Sequence, residues 1–191
     1  MDAEEVARLG LEPGLVLAPA VLAHLEHRDA CRCAREVALR LLGARPRSIA
    51  DLRARLRRAG VAPEAAAQVV RDLTVDGYLD DLEFARTWVR GRLAVRACGA
   101  LRLRSELREK GVAAPVIEQA IREVYGEEDA AAAEERRARD LAERRLRGYA
   151  HLAWEVKVRR LAGLLQRRGF AAPTIAHVLR TVQRSRESSD A

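Results

Sequence analysis

The chain has 191 residues, of which 33% are charged, 49% are hydrophobic and only 4% are aromatic. Much of the hydrophobic share is alanine, which buries little area, so thin helix-rich units are favoured over a thick β-sheet core. No stretch approaches the ~20 uncharged apolar residues of a membrane span, and the acidic N-terminus does not resemble a basic secretory leader. The sequence therefore predicts a cytoplasmic protein with no membrane partner.

The net charge of +7 is unevenly distributed along the chain. Residues 1–30 hold six acids against two bases, whereas residues 85–126 hold nine bases against four acids and residues 140–170 hold eight against three. All but two of the 35 basic residues are arginine, which suits bidentate phosphate or carboxylate contacts. An Ala- and Arg-rich chain is also typical of a GC-rich genome, but the two basic segments still favour an anionic partner.

The chain begins with a short apolar segment, residues 9–17, which Pro13-Gly14 interrupts. The interruption predicts a turn, and residues 15–17 are predicted as a short strand-like segment. Pro19 suits the first position of a helix, and the apolar periodicity that follows extends this helix to about Leu42. Asp29 is a position at which the helix could restart.

This helix contains four side chains of the types that bind zinc within a stretch of ten residues: His24, His27, Cys31 and Cys33. On a continuous helix the two cysteines point about 200° apart, so both cannot chelate one ion. No Gly or Pro interrupts the segment to form the usual ligand turn. We therefore predict no metal and no cofactor, with zinc binding by this cluster as the alternative.

One pattern of two leucines and a glycine occurs three times in the remainder of the chain. Before the first copy, Pro46 ends the preceding helix, and Ser48 is predicted to cap the next one with Asp51 at its third position. The copies are Leu52-x3-Leu56-x3-Gly60, Leu103-x3-Leu107-x3-Gly111 and Leu161-x3-Leu165-x3-Gly169. Each glycine is predicted to end a helix in the left-handed conformation, and a proline that can open another helix follows at positions 63, 115 and 173.

The four positions 6, 9, 10 and 13 residues after each glycine are apolar in every copy, which traces one face of a helix. A longer helix precedes each copy, at residues 34–42, 81–97 and 129–148. The sequence thus predicts an all-α fold in which three-helix units stack to bury their apolar faces. The predicted boundaries are an N-terminal extension at 1–30, repeats at 31–79, 80–127 and 128–184, and a disordered tail at 185–191.

Residues 73–85 are predicted to join the first two repeats by a helix stop, a tight turn and a new helix start. Asp76 and Gly77 supply the turn, because glycine tolerates positive φ. Asp80 is predicted as the N-cap of the next helix, with Glu83 in the position of a capping box.

Two aromatic residues, Tyr78 and Phe84, flank this joint and are predicted to plug it. The acids Asp80, Asp81 and Glu83 also have the composition of a metal site. Helix capping accounts for them without a metal, so we predict a structural role for the whole motif.

No motif for catalysis is present: the chain has no phosphate-binding glycine loop and no H-E-x-x-H or G-x-S-x-G sequence. Glu155 and Lys157 have the E-x-K spacing of some nucleases but fall in a helical pattern. The basic faces are the better candidates, although single arginines are often only solvated. The predicted binding surface comprises Arg90, Arg92, Arg96, Arg102, Arg104, Arg108, Lys110, Arg144, Arg145, Lys157, Arg159, Arg160, Arg167 and Arg168.

Several motifs resemble those of the RecX family of recombinase regulators. They are Arg45-Pro46-Arg47-Ser48 with Asp51-Leu52, Gly77-Tyr78-Leu79-Asp80-Asp81 with Phe84-Ala85, Gly99 with Leu107-Arg108-Glu109-Lys110-Gly111-Val112, and Arg168-Gly169-Phe170 with Ile175. The resemblance covers residues 34–182. Ala97-Cys98 precede Gly99 where a more basic or polar approach is expected.

The resemblance implies an elongated, curved array of three tandem three-helix repeats. It also implies a protein that binds the RecA filament on single-stranded DNA, lies in the helical groove of that filament, and acts in recombination, repair and the SOS response. We further expect a monomer, with double-stranded DNA as an additional partner. Members of the family suppress ATP hydrolysis, strand exchange and co-protease activity of RecA, so the resemblance implies a modulator and not an enzyme.

Three other functions remain open on the residues alone. The L-x3-L-x3-G pattern followed by proline also resembles a helix-turn-helix, which predicts a stand-alone DNA-binding protein. A helical scaffold that binds only proteins is a second alternative. A metal-dependent nuclease that uses Glu155 is a third.

Overall fold

The computed structural model describes residues 16–126 and 130–189, and within these residues it contains nine α-helices and no β-strand. The predicted all-α class is therefore confirmed. The chain divides into two compact units, residues 1–80 and residues 81–191. None of the helices in the described residues combines the length and apolar character that a membrane span requires.

The first unit contains helices α1 (Pro19–Ala44), α2 (Ile49–Arg58) and α3 (Pro63–Val75). As predicted, Ser48 precedes α2 and its hydroxyl accepts a hydrogen bond from the Asp51 backbone N–H at 3.1 Å. Arg47 is buried and donates to the Leu41 carbonyl at 2.9 Å and to the Asp51 carboxylate at 2.8 Å. This arginine therefore ties the α1–α2 loop to both helices.

The second unit contains two three-helix repeats. Repeat 2 comprises α4 (Asp81–Val95), α5 (Ala100–Glu109) and α6 (Ala114–Tyr125), and repeat 3 comprises α7 (Ala130–Gly148), α8 (Trp154–Arg167) and α9 (Ala172–Ser189). In both repeats the leading helix packs against the third helix of the same repeat. Each repeat thus closes around its own apolar core, with α1–α3 of the first unit forming repeat 1 on the same plan.

The three glycines of the repeated pattern have the predicted left-handed conformation, with φ of 78° at Gly60, 75° at Gly111 and 79° at Gly169. In each copy the residue after the glycine donates its N–H to the carbonyl of the second leucine. The three bonds, Val61 to Leu56, Val112 to Leu107 and Phe170 to Leu165, each measure 3.1 Å. One turn geometry therefore ends the middle helix of every repeat.

Each repeat has a separate hydrophobic core that contains both leucines of its pattern. All six leucines, Leu52, Leu56, Leu103, Leu107, Leu161 and Leu165, are fully inaccessible to solvent. Burial of a leucine side chain stabilises a fold by about 1.5–3 kcal/mol. The repeated pattern therefore marks the positions that hold each helical unit together.

The structure corrects the predicted joint in one respect. Helix α4 begins at Asp81, which places Asp80 at the predicted N-cap position, and Phe84 stacks on Trp88 with 6.2 Å between ring centroids. Tyr78, in contrast, is 59% exposed and does not plug the joint, whereas Leu79 is buried in the core of repeat 1. The positive φ of Gly77 turns the chain so that the leucine, and not the tyrosine, faces inward.

Two further expectations differ from the structure. Residues 16 and 17 have no regular secondary structure, and the rest of the predicted strand-like segment lies outside the described residues. Helix α9 continues to Ser189, so residues 185–189 are helical where a disordered tail is predicted. A hydrogen bond from Gln183 to Glu187 at 3.1 Å spans one turn of this extension.

Candidate nucleic-acid and protein interface

The predicted basic residues lie on or next to four helices of the second unit. Arg90 and Arg92 are on α4, with Arg96 just after it; Arg102, Arg104 and Arg108 are on α5, with Lys110 just after it; Arg144 and Arg145 are on α7; Lys157, Arg159, Arg160 and Arg167 are on α8, with Arg168 just after it. Most of these side chains are exposed. The sequence did not predict that, within the described residues, most of these arginines form ion pairs in repeat 2 but not in repeat 3.

The carboxylate of Glu106 on α5 contacts three side-chain donors of repeat 2. It accepts from Trp88 Nε1 at 3.0 Å and forms ion pairs with Arg92 Nε at 2.7 Å and Arg102 Nε at 2.9 Å. Burial of this carboxylate opposes its ionisation, but the hydrogen bonds from Arg102 and Trp88 and the charge of Arg92 hold the pKa of Glu106 below its usual value. Glu106 is thus ionised, and its ion pairs hold the side chains of Arg92 and Arg102 in place.

Further arginines of repeat 2 also have carboxylate partners. Arg104 donates from two nitrogens to the two oxygens of Glu118 on α6, at 2.7 Å and 2.8 Å. The hydrogen bond to Glu118 raises the pKa of Arg104, and the same bond lowers the pKa of Glu118. Arg86 pairs with Glu123 on α6, and Arg90 lies 3.4 Å from Glu83. Much of the positive charge of repeat 2 is therefore neutralised within the repeat.

Trp88 of repeat 2 is also occupied by the protein's own cations. The Arg92 guanidinium carbon lies 4.6 Å from the centre of the indole ring, and Lys110 Nζ lies 4.1 Å from it. Such cation–π contacts add to the ion pairs that hold the arginine in place. The indole is consequently part of the paired network and not an open stacking surface.

The cations of repeat 3 contrast with this network. In the part of the chain that the structure describes, the following predicted residues of repeat 3 have no carboxylate partner: Arg144, Arg145, Lys157, Arg159, Arg160, Arg167 and Arg168. In repeat 2 only Arg96 and Arg108, among the predicted residues, share this property within the described residues. Arg168 is half-buried and donates from Nη1 to the Ala97 carbonyl at 3.4 Å, whereas guanidinium groups without a partner retain their capacity to bind phosphate.

The α7–α8 corner, residues 144–160, contains most of these cations. Its turn is held by backbone bonds of 2.9 Å from Tyr149 to Leu146 and from Leu152 to Tyr149. Arg160 lies 5.9 Å from the Tyr149 ring centre, and Arg186 of α9 lies 5.0 Å from the Trp154 ring centre. Both aromatic residues are half-buried and pack against the core of repeat 3.

A contact between two glycines joins repeat 2 to repeat 3. The Gly99 N–H donates to the Arg168 carbonyl at 2.9 Å, and the Leu101 N–H donates to the Gly169 carbonyl at 3.2 Å. A Cβ atom on Gly99 would lie 2.1 Å from the Gly169 oxygen, which no side chain permits. Only glycine therefore allows this approach of the two backbones.

The residues around Gly99 fit this docked position. Cys98 is 5% exposed, and Ala97 packs against the core of repeat 3, which explains why this segment is apolar where a basic approach was expected. Burial raises the pKa of the Cys98 thiol. The Glu134 carboxylate of α7 accepts from the Ala100 N–H at 3.0 Å and so caps α5 from the neighbouring repeat.

A buried cation–π contact lies between the same two repeats. The Arg137 guanidinium carbon lies 4.1 Å from the ring centre of Tyr125, and neither Arg137 Nη1 nor the tyrosine hydroxyl has a hydrogen-bond partner within the described residues. Burial raises the pKa of Tyr125 well above its usual value, so the hydroxyl stays protonated. The contact is a packing feature of the repeat junction that the sequence did not predict.

The candidate metal ligands on α1 do not converge. The helix is continuous through them, His27 Nε2 lies 3.5 Å from Cys31 Sγ, and Cys33 is exposed. Within residues 16–126 and 130–189, no group of three or more His, Cys, Asp or Glu side chains has the arrangement of a metal site. That finding includes the acids at the start of α4.

Family models match each of the three repeats. The models for the first, second and third three-helix domains of RecX match residues 34–73, 80–121 and 133–179. Two solved structures, of RecX from Lactobacillus salivarius and of a regulatory protein RecX, resemble the fold with TM-scores of 0.73 and 0.76 at 18% and 20% identity. They cover 82% and 92% of this chain, and 98% and 85% of their own.

Sequence relatives extend over most of the chain. The regulatory protein RecX of Streptomyces coelicolor is 37% identical over 153 residues, which are 80% of this chain and 79% of that protein. The regulatory protein RecX of Trichlorobacter lovleyi is 42% identical over 142 residues, which are 72% of this chain and 88% of that protein. The three matched domains and these relatives show that the chain belongs to the RecX family.

Proposed function

We propose that this protein regulates a RecA recombinase, mainly as an inhibitor, by binding the groove of the RecA filament on single-stranded DNA. Bound there, it lowers ATP hydrolysis, strand exchange and co-protease activity. The proposal includes a cytoplasmic monomer that acts without a cofactor and without catalysis of its own. Its relatives are named as regulatory proteins, which supports a regulatory role for this chain.

The observation that carries the proposal is the presence of two kinds of basic surface in one compact unit. Repeat 3 presents arginines without carboxylate partners in the described residues, which suits phosphate contacts. Repeat 2 presents arginines fixed by Glu106 and Glu118, which suits contacts with a protein surface. A protein with both surfaces can bind a filament made of protein and nucleic acid.

The test is the ATPase rate of RecA on single-stranded DNA as the protein is added. We expect the rate to fall progressively as the protein approaches stoichiometry with RecA. An unchanged rate at a stoichiometric excess would reject the proposal. The complementary measurement is strand exchange between a single strand and a homologous duplex, which should fall over the same range of concentration.

A control with excess DNA separates filament regulation from simple sequestration of the strand. A stand-alone DNA-binding protein inhibits RecA only by competing for DNA, so added single-stranded DNA restores the ATPase rate. A regulator that binds the filament continues to inhibit when the strand is in excess. Restoration of the full rate by excess DNA would therefore favour the helix-turn-helix alternative.

The charge of α6 weakens that alternative. In a helix-turn-helix, the second helix enters the major groove and reads base edges, and α6 occupies the equivalent position in repeat 2. Its outward side chains include Glu118 and Glu123, both held by arginines of the same repeat. These pairs occupy arginines that would otherwise be available to the phosphates that border the groove.

A further inference from the structure

Residues 144–160, the α7–α8 corner, combine unpaired cations with aromatic rings in one short stretch of chain. Three exposed arginines, Arg144, Arg145 and Arg147, lie in the last two turns of α7, and Arg159 and Arg160 lie in the second turn of α8. In the described residues none of the five has a carboxylate partner. The corner is thus a concentrated source of positive potential.

Within the described residues, no acid near the corner forms an ion pair with one of its five arginines. Glu143 lies 3.9 Å from Arg139 on the side of α7 that precedes the corner. Glu155 lies in the first turn of α8, where a carboxylate is stabilised by the helix dipole. The arginines therefore remain available to an external anion.

Two aromatic residues bracket the turn itself. Tyr149 follows α7 directly and Trp154 opens α8, and both are half-buried, with part of each side chain exposed. Among the described residues one arginine lies close to each ring, at 5.9 Å from the centre of Tyr149 and 5.0 Å from that of Trp154. Trp88 of repeat 2 differs, because two cations lie within 5 Å of its centre and its N–H is bound to Glu106.

We propose that the α7–α8 corner binds a single-stranded nucleic acid, with phosphates on its arginines and a base stacked on Trp154 or Tyr149. The inference rests on the proposed function, since it assigns the nucleic-acid contacts of that function to one part of repeat 3. A single strand is favoured over a duplex because stacking on a side chain requires an unpaired base. Repeat 2 takes no direct part in phosphate binding through its paired arginines.

The first test uses the fact that the chain has only two tryptophans, one in each repeat of the second unit. The variant Trp88→Phe retains Trp154 as the only indole, and Trp154→Phe retains Trp88. Oligo(dT) should quench the fluorescence of the Trp88→Phe protein and leave that of the Trp154→Phe protein unchanged. Quenching of Trp88 alone would overturn the assignment.

The second test measures how the affinity for oligo(dT) depends on salt concentration. Each phosphate contact to a single strand contributes about 0.7 to the slope of log affinity against log salt. Replacement of Arg144, Arg145 and Arg147 by Gln should therefore lower the magnitude of the slope by about 2. A matched variant, in which the paired arginines Arg90, Arg102 and Arg104 become Gln, should lower it by much less.

Circular dichroism of both triple variants establishes that they are folded before binding is measured. Equal changes of slope in the two variants, or no change in the first, would overturn the proposal. A duplex of the same length provides the last comparison. If the duplex quenches Trp154 and depends on the same three arginines as strongly as oligo(dT) does, the single-strand assignment is wrong.

The oligo(dT) experiments and the RecA assay can fail independently of each other. If the protein inhibits RecA but the slope does not respond to the corner, the regulatory function stands and the corner assignment fails. If the slope responds but RecA is not inhibited, the corner stands as a nucleic-acid site and the regulatory function fails. Replacement of Trp154 by Ala, after the same folding control, should weaken oligo(dT) binding by about 5- to 150-fold if its ring stacks on a base.

Discussion

Repeats 2 and 3 each contain a basic segment, with nine bases against four acids at 85–126 and eight against three at 140–170. In repeat 2 the acids lie where the helices meet, so Glu106, Glu118 and Glu123 each hold at least one arginine. In repeat 3 the acids of the basic segment leave its arginines unpaired in the described residues. Similar net charges therefore produce a fixed network in one repeat and available cations in the other.

The difference shows that net charge along the sequence does not by itself locate a phosphate-binding surface. An arginine that pairs with a carboxylate contributes less positive electrostatic potential at a distance. It must also lose that partner before it can bind phosphate. It can still recognise a protein partner, because its donors and the partner's carboxylate are held in a defined geometry. The availability of the guanidinium groups distinguishes the two surfaces.

Repeats 2 and 3 are joined in one unit by the contact of Gly99 with Arg168 and Gly169, and Gly99→Ala should disrupt that junction. The added Cβ would lie 2.1 Å from the Gly169 carbonyl oxygen, so the α4–α5 loop must move away from the α8–α9 turn. We expect a loss of about 3 kcal/mol in the free energy of unfolding, measured by urea denaturation. This is the largest effect among our predictions.

Gly91→Ala is the matched control for this substitution. Gly91 lies inside α4, and a methyl group on its Cα would meet nothing within 4 Å beyond the backbone of its own helix, so alanine adds helix propensity without a clash. It should stabilise the protein by about 0.5–1 kcal/mol. A loss of stability at Gly91 similar to that at Gly99 would mean that the glycine contact does not hold the repeats together.

Glu106→Gln should disrupt the paired network of repeat 2. The carboxylate is only 14% exposed and forms ion pairs with Arg92 and Arg102, so its neutralisation should cost about 1–2 kcal/mol at neutral pH. Because the pKa of Glu106 is lowered from 4.5 in the folded state, this stabilisation is fully present above pH 4.5 and is lost as the pH falls through the folded-state pKa. Urea denaturation of both proteins across this range should show the difference disappearing at low pH.

The Glu106→Gln variant should also differ from the wild type in how its binding of oligo(dT) depends on salt. Neutralising Glu106 releases Arg92 and Arg102, so repeat 2 should gain cations of the kind that repeat 3 already has. We expect the magnitude of the salt slope to rise by up to about 1.4, which corresponds to two added phosphate contacts. A slope that stays at the wild-type value would show that pairing does not limit phosphate binding in repeat 2.

The local rules of the sequence were sufficient to predict the helices and the turns between them. Gly60, Gly111 and Gly169 were predicted as left-handed helix ends because glycine adopts that conformation without the steric cost of a Cβ atom. Ser48 was predicted as a cap from its position before a periodic segment, and its hydroxyl accepts the expected bond. These features depend on neighbours within one turn, which a single sequence displays directly.

The pairing of the arginines could not be predicted in the same way. Arg104 and Glu118 are on different helices, and they meet only because α5 packs against α6. The pair of Arg102 with Glu106 is separated by one helical turn, so its spacing was visible in the sequence although its significance was not. The inward direction of Leu79, in place of Tyr78, likewise depends on the path of the chain after Gly77.

The smallest predicted effects compare one arginine from each repeat. Arg104→Gln removes a bidentate ion pair with Glu118 that is largely shielded on the arginine side, with 29% of that side chain exposed. We expect a loss of about 0.5–1 kcal/mol in the free energy of unfolding. Arg159→Gln removes an exposed cation without a carboxylate partner in the described residues, so stability should change by less than about 0.5 kcal/mol.

The two substitutions should also differ in how their effects on stability depend on salt concentration. The cost of Arg104→Gln should shrink when urea denaturation is repeated in 1 M NaCl, because at that ionic strength the Debye length is about 3 Å. Arg159→Gln should show no such dependence on salt, yet it should weaken oligo(dT) binding more than Arg104→Gln does. If both variants lose stability equally and bind oligo(dT) equally, the arginines of repeats 2 and 3 are equivalent and the division between paired and available cations has no functional consequence.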